Sequence, residues 1–348
     1  MIAKAQPNFC HICGRPLTGR YFQYDTGLIV CVTCDDQSAR CARCNVPLTA
    51  HDVAGATPGR ARLCLACQGK VSHCAACNEP IIQEWYTFGE IVPAAERRFC
   101  PRCVQGRPRC DLCHAPTGSP PILLNHGQYR CALCAGDMVL QEPAIRATYV
   151  DAVVAFQRAT KSSLRAIPPL HVVGRLAMNE ARRRFIYERD YERNAKRGAL
   201  TPPPPSPGAS PKFIRQTGSG AHPDDPADGE AAARHTLGFF VRTHGETAIY
   251  IEMGLTRGLL LGTLAHELSH AWQAEQLPPG APHLDPLIEE GFAEWVAYHA
   301  LLTRGLTTLT ERATKRDDLY GRGLRHFLTI ERTHGLSGVL NVALGRAP

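Results

Sequence analysis

Beyond residue 141, the order of apolar and polar residues predicts helices and short strands in turn. An Ala- and Arg-rich stretch, opened by Pro143, predicts a connecting helix over 141–166. After Pro168 and Pro169, the sequence LHVV predicts a short strand. The next stretch, MNEARRRFIYERDYERNAKRG, interleaves acidic with basic residues, which favours a solvated helix over a nucleic-acid-binding patch.

A change in composition follows this charged stretch. Residues 201–232 contain TPPPPSPGASP and AHPDDPADGE, which predict a flexible insertion because such a composition can neither form a helix nor bury much surface. The segments HTLGFFVR (235–242) and TAIYIEM (247–253) are rich in β-branched and aromatic residues. Since a short HGE turn separates them, we expect a β-hairpin here.

Two further segments carry helical periodicity. In LTRGLLLGTLAHELSHAWQAEQLPPG, apolar residues spaced by four predict a buried helix that Thr256 caps and that PPG ends. These apolar residues are Leu260, Leu264, Leu268 and Trp272. In DPLIEEGFAEWVAYHALL, Asp285 or Pro286 is expected to start a second helix. Its expected core residues are Phe292, Trp295 and Val296.

All 16 cysteines lie between Cys10 and Cys134, in eight CxxC pairs. Four pairs continue as CxxCxxP, which marks the start of each module, and six residues separate one module from the next. Because a CxxC turn offers two thiolates on one side, two such turns complete the tetrahedron of a structural zinc ion. The four predicted structural zinc sites are Cys10, Cys13, Cys31 and Cys34; Cys41, Cys44, Cys64 and Cys67; Cys74, Cys77, Cys100 and Cys103; and Cys110, Cys113, Cys131 and Cys134.

The modules (10–34, 41–67, 74–103 and 110–134) have about 30 residues each, so zinc is expected to supply much of their folding free energy. They resemble LIM domains, in which paired zinc modules form protein-binding platforms. The resemblance implies that residues 1–140 form tandem treble-clef or LIM-like zinc ribbons, small and rich in β-hairpins, that bind protein substrates or regulators. LIM domains usually have a His as the third ligand, whereas this chain has Cys31, Cys64, Cys100 and Cys131 there.

The formal net charge of +7 would favour a nucleic-acid partner, but that count treats every cysteine as neutral. Sixteen thiolates with four zinc ions bring the charge to about −1, and a catalytic zinc returns it to about +1. The sequence therefore predicts no nucleic-acid partner. No apolar run is long enough to cross a membrane, and cysteines spaced for metal binding favour a reducing compartment. We expect a cytoplasmic protein without membrane association.

Candidate catalytic residues lie in the HELSH sequence of the first periodic helix. His266 and His270, four residues apart, project from one face of a helix, a spacing suited to binding one zinc ion. Glu267 beside them can take a proton from a zinc-bound water and later deliver it to the leaving amine. Because HExxH is short enough to occur by chance, this chemistry requires a third ligand from elsewhere in the chain.

The second periodic helix offers Glu289 and Glu290 as the third zinc ligand. If Glu290 binds the metal, Glu294 lies one turn on along the same face, where it can hydrogen-bond a zinc-binding imidazole. If Glu289 binds instead, Ala293 stands at that place. We therefore predict Glu290 as the ligand and Glu294 as the supporting carboxylate. Two His and one Glu leave a fourth position for water, as in catalytic zinc sites.

The sequences HELSHAW, IEEGFAEWVAY and LYGRGLRHFLTIERTHGLSGVL resemble the peptidase domain of the DA-one family, plant LIM peptidases that ubiquitin activates. HVVGRLAMNEA and MGLTRGLLLGTLAHE are similar to it as well, so the resemblance runs from about Ile167 to the C-terminus. It implies that 167–348 is an α+β zincin-like (gluzincin) metallopeptidase domain in a divergent or bacterial-type relative. It also implies a zinc-dependent endopeptidase, with zinc bound by the two histidines and Glu290, and with Glu267 as acid and base.

The resemblance leaves some properties of the family open. No ubiquitin-interacting helix is recognisable before Cys10, so the sequence gives no support to ubiquitin as a partner. Peptidases of this type use a Tyr or His to stabilise the oxyanion, and Tyr320 and His326 are the candidates in this chain. The alternative function is a non-catalytic zinc-binding scaffold for protein interactions. The intact Glu267 argues against a scaffold, because zinc binding alone does not need that carboxylate.

Overall fold

The structure is a computed structural model of the 348-residue chain. It describes residues 9–53, 61–82, 84–89, 91–92, 94–124, 127–196, 237–242, 247–278, 281 and 283–348, without the side chains of 186–196. The predicted insertion at 201–232, the start of the predicted hairpin and its HGE turn lie outside the described residues. The chain forms two compact units, made of Met1–Gly89, Ala94–Leu124 and Gln128–Ala132, and of Glu90–Pro93, Asn125–Gly127 and Leu133–Pro348.

A single local conformation repeats at the first CxxC turn of all four modules. The residue that follows the second cysteine has a positive φ, between 58° and 70°. Glycine adopts this left-handed region freely and Asn tolerates it better than most residues, which explains the residue types found there. These residues are Gly14, Asn45, Asn78 and His114. The proline of each CxxCxxP forms an isolated bridge with the residue before the first cysteine, so every turn closes in the same way.

Short strands and helices complete the first three modules. In the first module, β1 (Tyr21–Gln23) pairs with β2 (Ile29–Cys31) in an antiparallel hairpin. A short helix then begins directly after the third cysteine of each module, which is the N-cap residue, so the fourth cysteine lies in the first helical turn. These helices are α1 (Val32–Gln37), α3 (Leu65–Gln68) and α4 (Pro101–Gly106). The second module has a further short helix, α2 (Ala50–Val53), between its two CxxC turns.

The fourth module contains β3 (Ile122–Leu123) and β4 (Tyr129–Arg130), again antiparallel, and α5 (Ala132–Gly136) follows. The remaining elements of the second unit are mostly helical, with one small sheet. They are α6 (Glu142–Thr160), β5 (Leu170–Val173), α7 (Arg175–Lys196), β6 (Gly238–Arg242), β7 (Thr247–Glu252), α8 (Arg257–Gln276), α9 (Pro286–Thr303), α10 (Thr307–Lys315) and α11 (Leu319–Ala343).

These elements confirm the predicted helices and strands and correct some of their ends. Helix α6 ends at Thr160, several residues before the predicted end, because Lys161 adopts the left-handed conformation with φ 52°. Thr256 is the N-cap residue of α8, as predicted, although its hydroxyl has no hydrogen-bond partner among the described residues. Asp285 does cap α9, because its carboxylate accepts a hydrogen bond from the Leu287 amide.

The small sheet has the order β5, β7, β6, with β5 parallel and β6 antiparallel to β7. Phe240 pairs with Ile249, and side chains opposite each other share a face, so both point to the same side of the sheet. Ile249 is fully buried, and α8 packs against these strands. Strand β6 is an edge strand, because within the described part of the chain no strand pairs with its other side.

The core of the second unit lies where α8, α9 and α11 meet. The four periodic residues of α8 and the three predicted core residues of α9 are all buried. Helices α9 and α11 approach closely through Gly291 and Gly323: a Cβ atom on Gly323 would lie 2.6 Å from the Gly291 Cα. This contact between backbones brings the start of α11 close to α9. Among the described residues, no helix has the length and apolar character needed to cross a bilayer.

Candidate metal centre

Four sets of four cysteine sulfurs come together in the structure, and they are the sets that the spacing predicts. One sulfur–sulfur distance in each set is 4.0, 3.7, 3.8 and 3.7 Å, in chain order. Thiolates about 2.3 Å from a tetrahedral zinc ion are roughly 3.8 Å apart, whereas disulfide sulfurs are about 2.05 Å apart. None of the 16 cysteines, all of which lie in the described part of the chain, forms a disulfide bond. The four sets are therefore compatible with structural zinc.

Backbone N–H groups stabilise one thiolate in each of the first three sets. Burial raises the pKa of Cys10, but N–H groups, including that of Cys31 at 3.4 Å, lower it more strongly, to about 6. The pKa of Cys41 is likewise about 6, and that of Cys74 is about 7. Burial and the neighbouring sulfurs raise the pKa of Cys34 to about 12. Such a thiol requires a metal ion to lose its proton near neutral pH.

A fifth cluster forms where α8 faces α9, and it consists of His266, His270 and Glu290. The two imidazole Nε2 atoms are 3.1 Å apart. Glu290 Oε2 lies 3.2 Å from Nε2 of His266 and 3.7 Å from Nε2 of His270. Glu289, the alternative ligand, is not part of the cluster. The i, i+4 spacing on α8 places both imidazoles on one face, and the packing of α9 brings the carboxylate to them.

The spacing and chemistry of these three donors fit zinc. Nitrogen and oxygen donors about 2.05 Å from a tetrahedral zinc ion are about 3.3 Å apart, which lies within the observed range. The set of two His and one Glu is typical of a catalytic zinc site that keeps one position for water. Burial opposes the charged form of His266, but hydrogen bonds to Glu290 and Glu294 raise its pKa well above the usual range. Zinc would have to displace that proton.

Carboxylate and guanidinium groups surround the His266 side of the cluster. Glu294 Oε1 lies 3.5 Å from Nδ1 of His266, the nitrogen that points away from the cluster. Arg316 Nη1 lies 3.7 Å from the same Glu294 oxygen, and its guanidinium binds Asp318 at 2.7 Å. A carboxylate on the outer nitrogen fixes the imidazole orientation and keeps Nε2 free to bind a metal ion. No sequence motif marks Arg316, so its position beside Glu294 could not be predicted.

Glu267 is buried beside the cluster without belonging to it. Burial raises the pKa of this carboxyl group, and the nearby His266 and His270 partly offset that effect. The backbone N–H of Phe240, on edge strand β6, donates a hydrogen bond to the carboxylate. The carboxyl group is therefore held between the imidazoles and the edge strand. A carboxyl group whose pKa is raised accepts a proton more readily than an ordinary carboxylate, which suits a general base.

Tyr320 and His326, the two candidates for stabilising the oxyanion, have different surroundings. The Tyr320 ring lies 6.1 Å from the His266 ring, centroid to centroid, and Arg316 stacks over it at 4.9 Å. Burial, followed by the charges of the site carboxylates, raises the Tyr320 pKa to about 12, so its hydroxyl stays protonated and can donate a hydrogen bond. His326 is exposed, and its ring contacts Phe327, which is not part of the cluster. The geometry therefore favours Tyr320.

Comparison with known proteins finds no matching family model, no matching curated protein and no matching solved structure. The residues of this chain and their geometry therefore provide the evidence for its function.

Proposed function

We propose that the protein is a zinc-dependent endopeptidase, and that its second unit is a gluzincin-like catalytic domain. One observation carries the proposal: His266, His270 and Glu290 converge with the spacing of a zinc site, and a buried carboxylate that is not a ligand, Glu267, lies beside them. Zinc binding explains why His266, His270 and Glu290 come together, but it does not explain Glu267. A general acid and base is the role that a buried carboxyl group would have there.

Each residue of the site has a defined task in peptide hydrolysis. The two imidazoles and Glu290 would hold the zinc ion, which polarises the scissile carbonyl and lowers the pKa of water when bound. Glu267 accepts the proton of the attacking water and passes it to the nitrogen of the leaving amine, so its carboxylate is restored in each turnover. Glu294 orients His266, and the Tyr320 hydroxyl donates a hydrogen bond to the developing oxyanion.

The proposal can be tested by searching a cellular extract for new protein N-termini that form when the protein is added. Extract proteins incubated with the zinc-loaded full chain should acquire new N-termini, which terminal labelling and mass spectrometry identify. The matched control is His270→Ala, which removes one zinc-binding imidazole. New termini produced equally by both proteins, or by neither, would leave the non-catalytic zinc scaffold as the better interpretation.

Tyr320→Phe should lower kcat by about 100-fold with little change in KM or zinc content, because only the hydrogen bond to the oxyanion is lost. The control is Tyr298→Phe, which removes the hydroxyl of a half-buried tyrosine on α9. Steady-state kinetics on a substrate peptide, together with metal analysis, provides the measurement. Equal rates for the two variants would contradict the assigned role of Tyr320.

We further propose that the zinc modules recruit protein substrates or regulators through exposed apolar side chains. Phe22, Tyr86 and Ile122 occupy one equivalent position, because each pairs across the strands with the residue before the third cysteine of its module. They are 45%, 42% and 38% exposed, and all three cross-strand partners are buried. Folding does not require apolar residues to recur at exposed positions, whereas protein recognition uses them.

Replacing all three of these residues by Ser should slow cleavage of a folded protein substrate at least tenfold and leave cleavage of a short peptide from it unchanged. Leu65→Ser, which removes an exposed apolar side chain elsewhere in the modules, is the control. Competition kinetics with both substrates gives the comparison. A loss of activity on the short peptide as well would assign the effect to folding or to the catalytic unit.

We make two further proposals, on the compartment of the protein and on its kinship. The grouping of 16 cysteines into four sets suited to metal binding supports a reducing compartment such as the cytoplasm, which fractionation of cells would check. The arrangement of an HExxH helix, a glutamate helix and zinc modules supports kinship with the DA-one family. An experimental structure of the second unit that superimposes on no member of that family would reject the kinship.

A further inference from the structure

We propose that a recess beside the metal centre accepts one large apolar side chain of the peptide substrate and so determines cleavage specificity. This inference rests on the proposed peptidase function. The recess is a cavity of about 270 Å³ between α8 and the face of the sheet that carries Phe240. Its apolar lining comes from Ile167, Pro168, Phe240, Ala271 and Ala274.

The recess lies next to the catalytic residues along α8. Ala271 follows Glu267 by four residues, and Ala274 follows His270 by four residues. Side chains four apart on a helix are neighbours on one face, with Cβ atoms about 5–6 Å apart. The floor of the recess therefore begins one helical turn from both the proposed acid/base and a proposed zinc ligand.

Edge strand β6, which lies opposite α8, also contacts both the recess and Glu267. Phe240 lines the recess, and its backbone N–H donates to Glu267. An extended peptide can pair with the outer edge of such a strand, which no strand covers within the described residues, and its side chains then alternate between the two faces, about 6.6 Å apart on each face. A peptide whose scissile bond lies at the metal centre would thus place a side chain one or two residues away at the recess.

The chemistry of the recess favours an apolar side chain. Glu275 and Arg242 also border it, but both charges are engaged by backbone groups. The Glu275 carboxylate accepts hydrogen bonds from the Arg165 and Ala166 amides, at 2.8 and 3.3 Å, and the Arg242 guanidinium donates to the Ala274 carbonyl. The rest of the lining is apolar, so an apolar substrate side chain gains from burial there, whereas a charged one would lose hydration over most of its surface.

The size of the recess limits what it accepts. Sites for whole drug-sized ligands occupy about 300–1,000 Å³, so a cavity of 270 Å³ suits one side chain. Ile167 is 55% exposed and borders the recess, so a bound apolar side chain would also cover it. Large aliphatic and aromatic residues of the substrate would fill this volume, whereas Gly or Ala would leave most of it empty.

The test is the cleavage profile of the zinc-loaded full chain on a mixture of peptides derived from a proteome. The wild-type protein should prefer large apolar residues at one position near the scissile bond. Ala274→Leu fills the recess and should reduce that preference at least tenfold, because pocket contacts of this kind discriminate by about 10–200-fold. Gln276→Leu places the same leucine side chain on α8 outside the recess and should keep the wild-type profile.

A second variant covers the case in which Ala274→Leu does not fold. Ile167→Asp puts a charge at the exposed border and should selectively disfavour the same peptides. Wild-type cleavage without an apolar preference, or a preference that survives both substitutions, would overturn this inference and leave the peptidase proposal intact. A wild-type protein that cleaves no peptide would instead remove the peptidase proposal, and the specificity recess with it.

Discussion

A chain carrying Glu267→Gln should bind as much zinc as the wild-type protein and cleave its substrate at least about 1,000-fold more slowly. The substitution keeps the size of the side chain and removes its ability to exchange a proton. Glu267 does not belong to the three-donor cluster, so the metal site should persist. The Gln side chain can still accept the hydrogen bond from the Phe240 N–H, which should preserve the local backbone.

Two companion variants separate catalysis from metal binding. His270→Ala should lose one zinc ion per chain together with cleavage, from a wild-type count of five. Glu289→Gln removes a carboxylate next to the proposed ligand Glu290 and should retain both zinc and activity. Metal analysis of the purified proteins and single-turnover cleavage of a substrate peptide give the required values. A Glu267→Gln protein with activity within tenfold of wild type would refute the assignment of the acid and base.

Local patterns allowed much of this molecule to be predicted from its sequence. The spacing of Leu260, Leu264 and Leu268 indicates α8, because a helix with one buried face repeats its apolar residues about every 3.6 positions. Asp285 before a proline indicates the start of α9 for an equally local reason, since both residues suit the first turn of a helix. The left-handed residue after each first CxxC turn could have been predicted in the same way, since Gly and Asn occur there in three of four modules.

The remaining features depend on contacts between distant segments. Arg316 reaches Glu294 from the connection between α10 and α11, and a lone arginine in a connection carries no signal of its partner. The position of Phe240 beside Glu267 depends on the strand order, which hydrophobic alternation does not specify. The left-handed conformation of Lys161, which ends α6, could not be predicted either, because lysine has no preference for it. Local sequence therefore predicts the zinc-binding residues better than the groups that surround them.

Removal of zinc by a chelator should unfold the cysteine modules and leave the second unit folded. The modules have only small clusters of buried apolar residues, such as Leu48 and Leu63 with three cysteines, so thiolate–zinc bonds must replace a core. A structural zinc ion contributes about 10–16 kcal/mol to the folding of such a module at neutral pH. The second unit has a continuous core around Phe292, Trp295 and Phe327, which requires no metal.

Hydrogen exchange of the full chain, followed by mass spectrometry of its peptides, would distinguish these behaviours. After chelation, the amides of α1, α3 and α4 should exchange at the rate of an unfolded chain, since metal binding and module folding are one transition. The amides of α8, α9 and α11 should stay protected, because loss of the contacts between zinc and its three ligands leaves the apolar interface of these helices unchanged. Protected amides in the modules after complete metal removal would show that these modules fold without zinc, and the thiolate sets would then need another explanation.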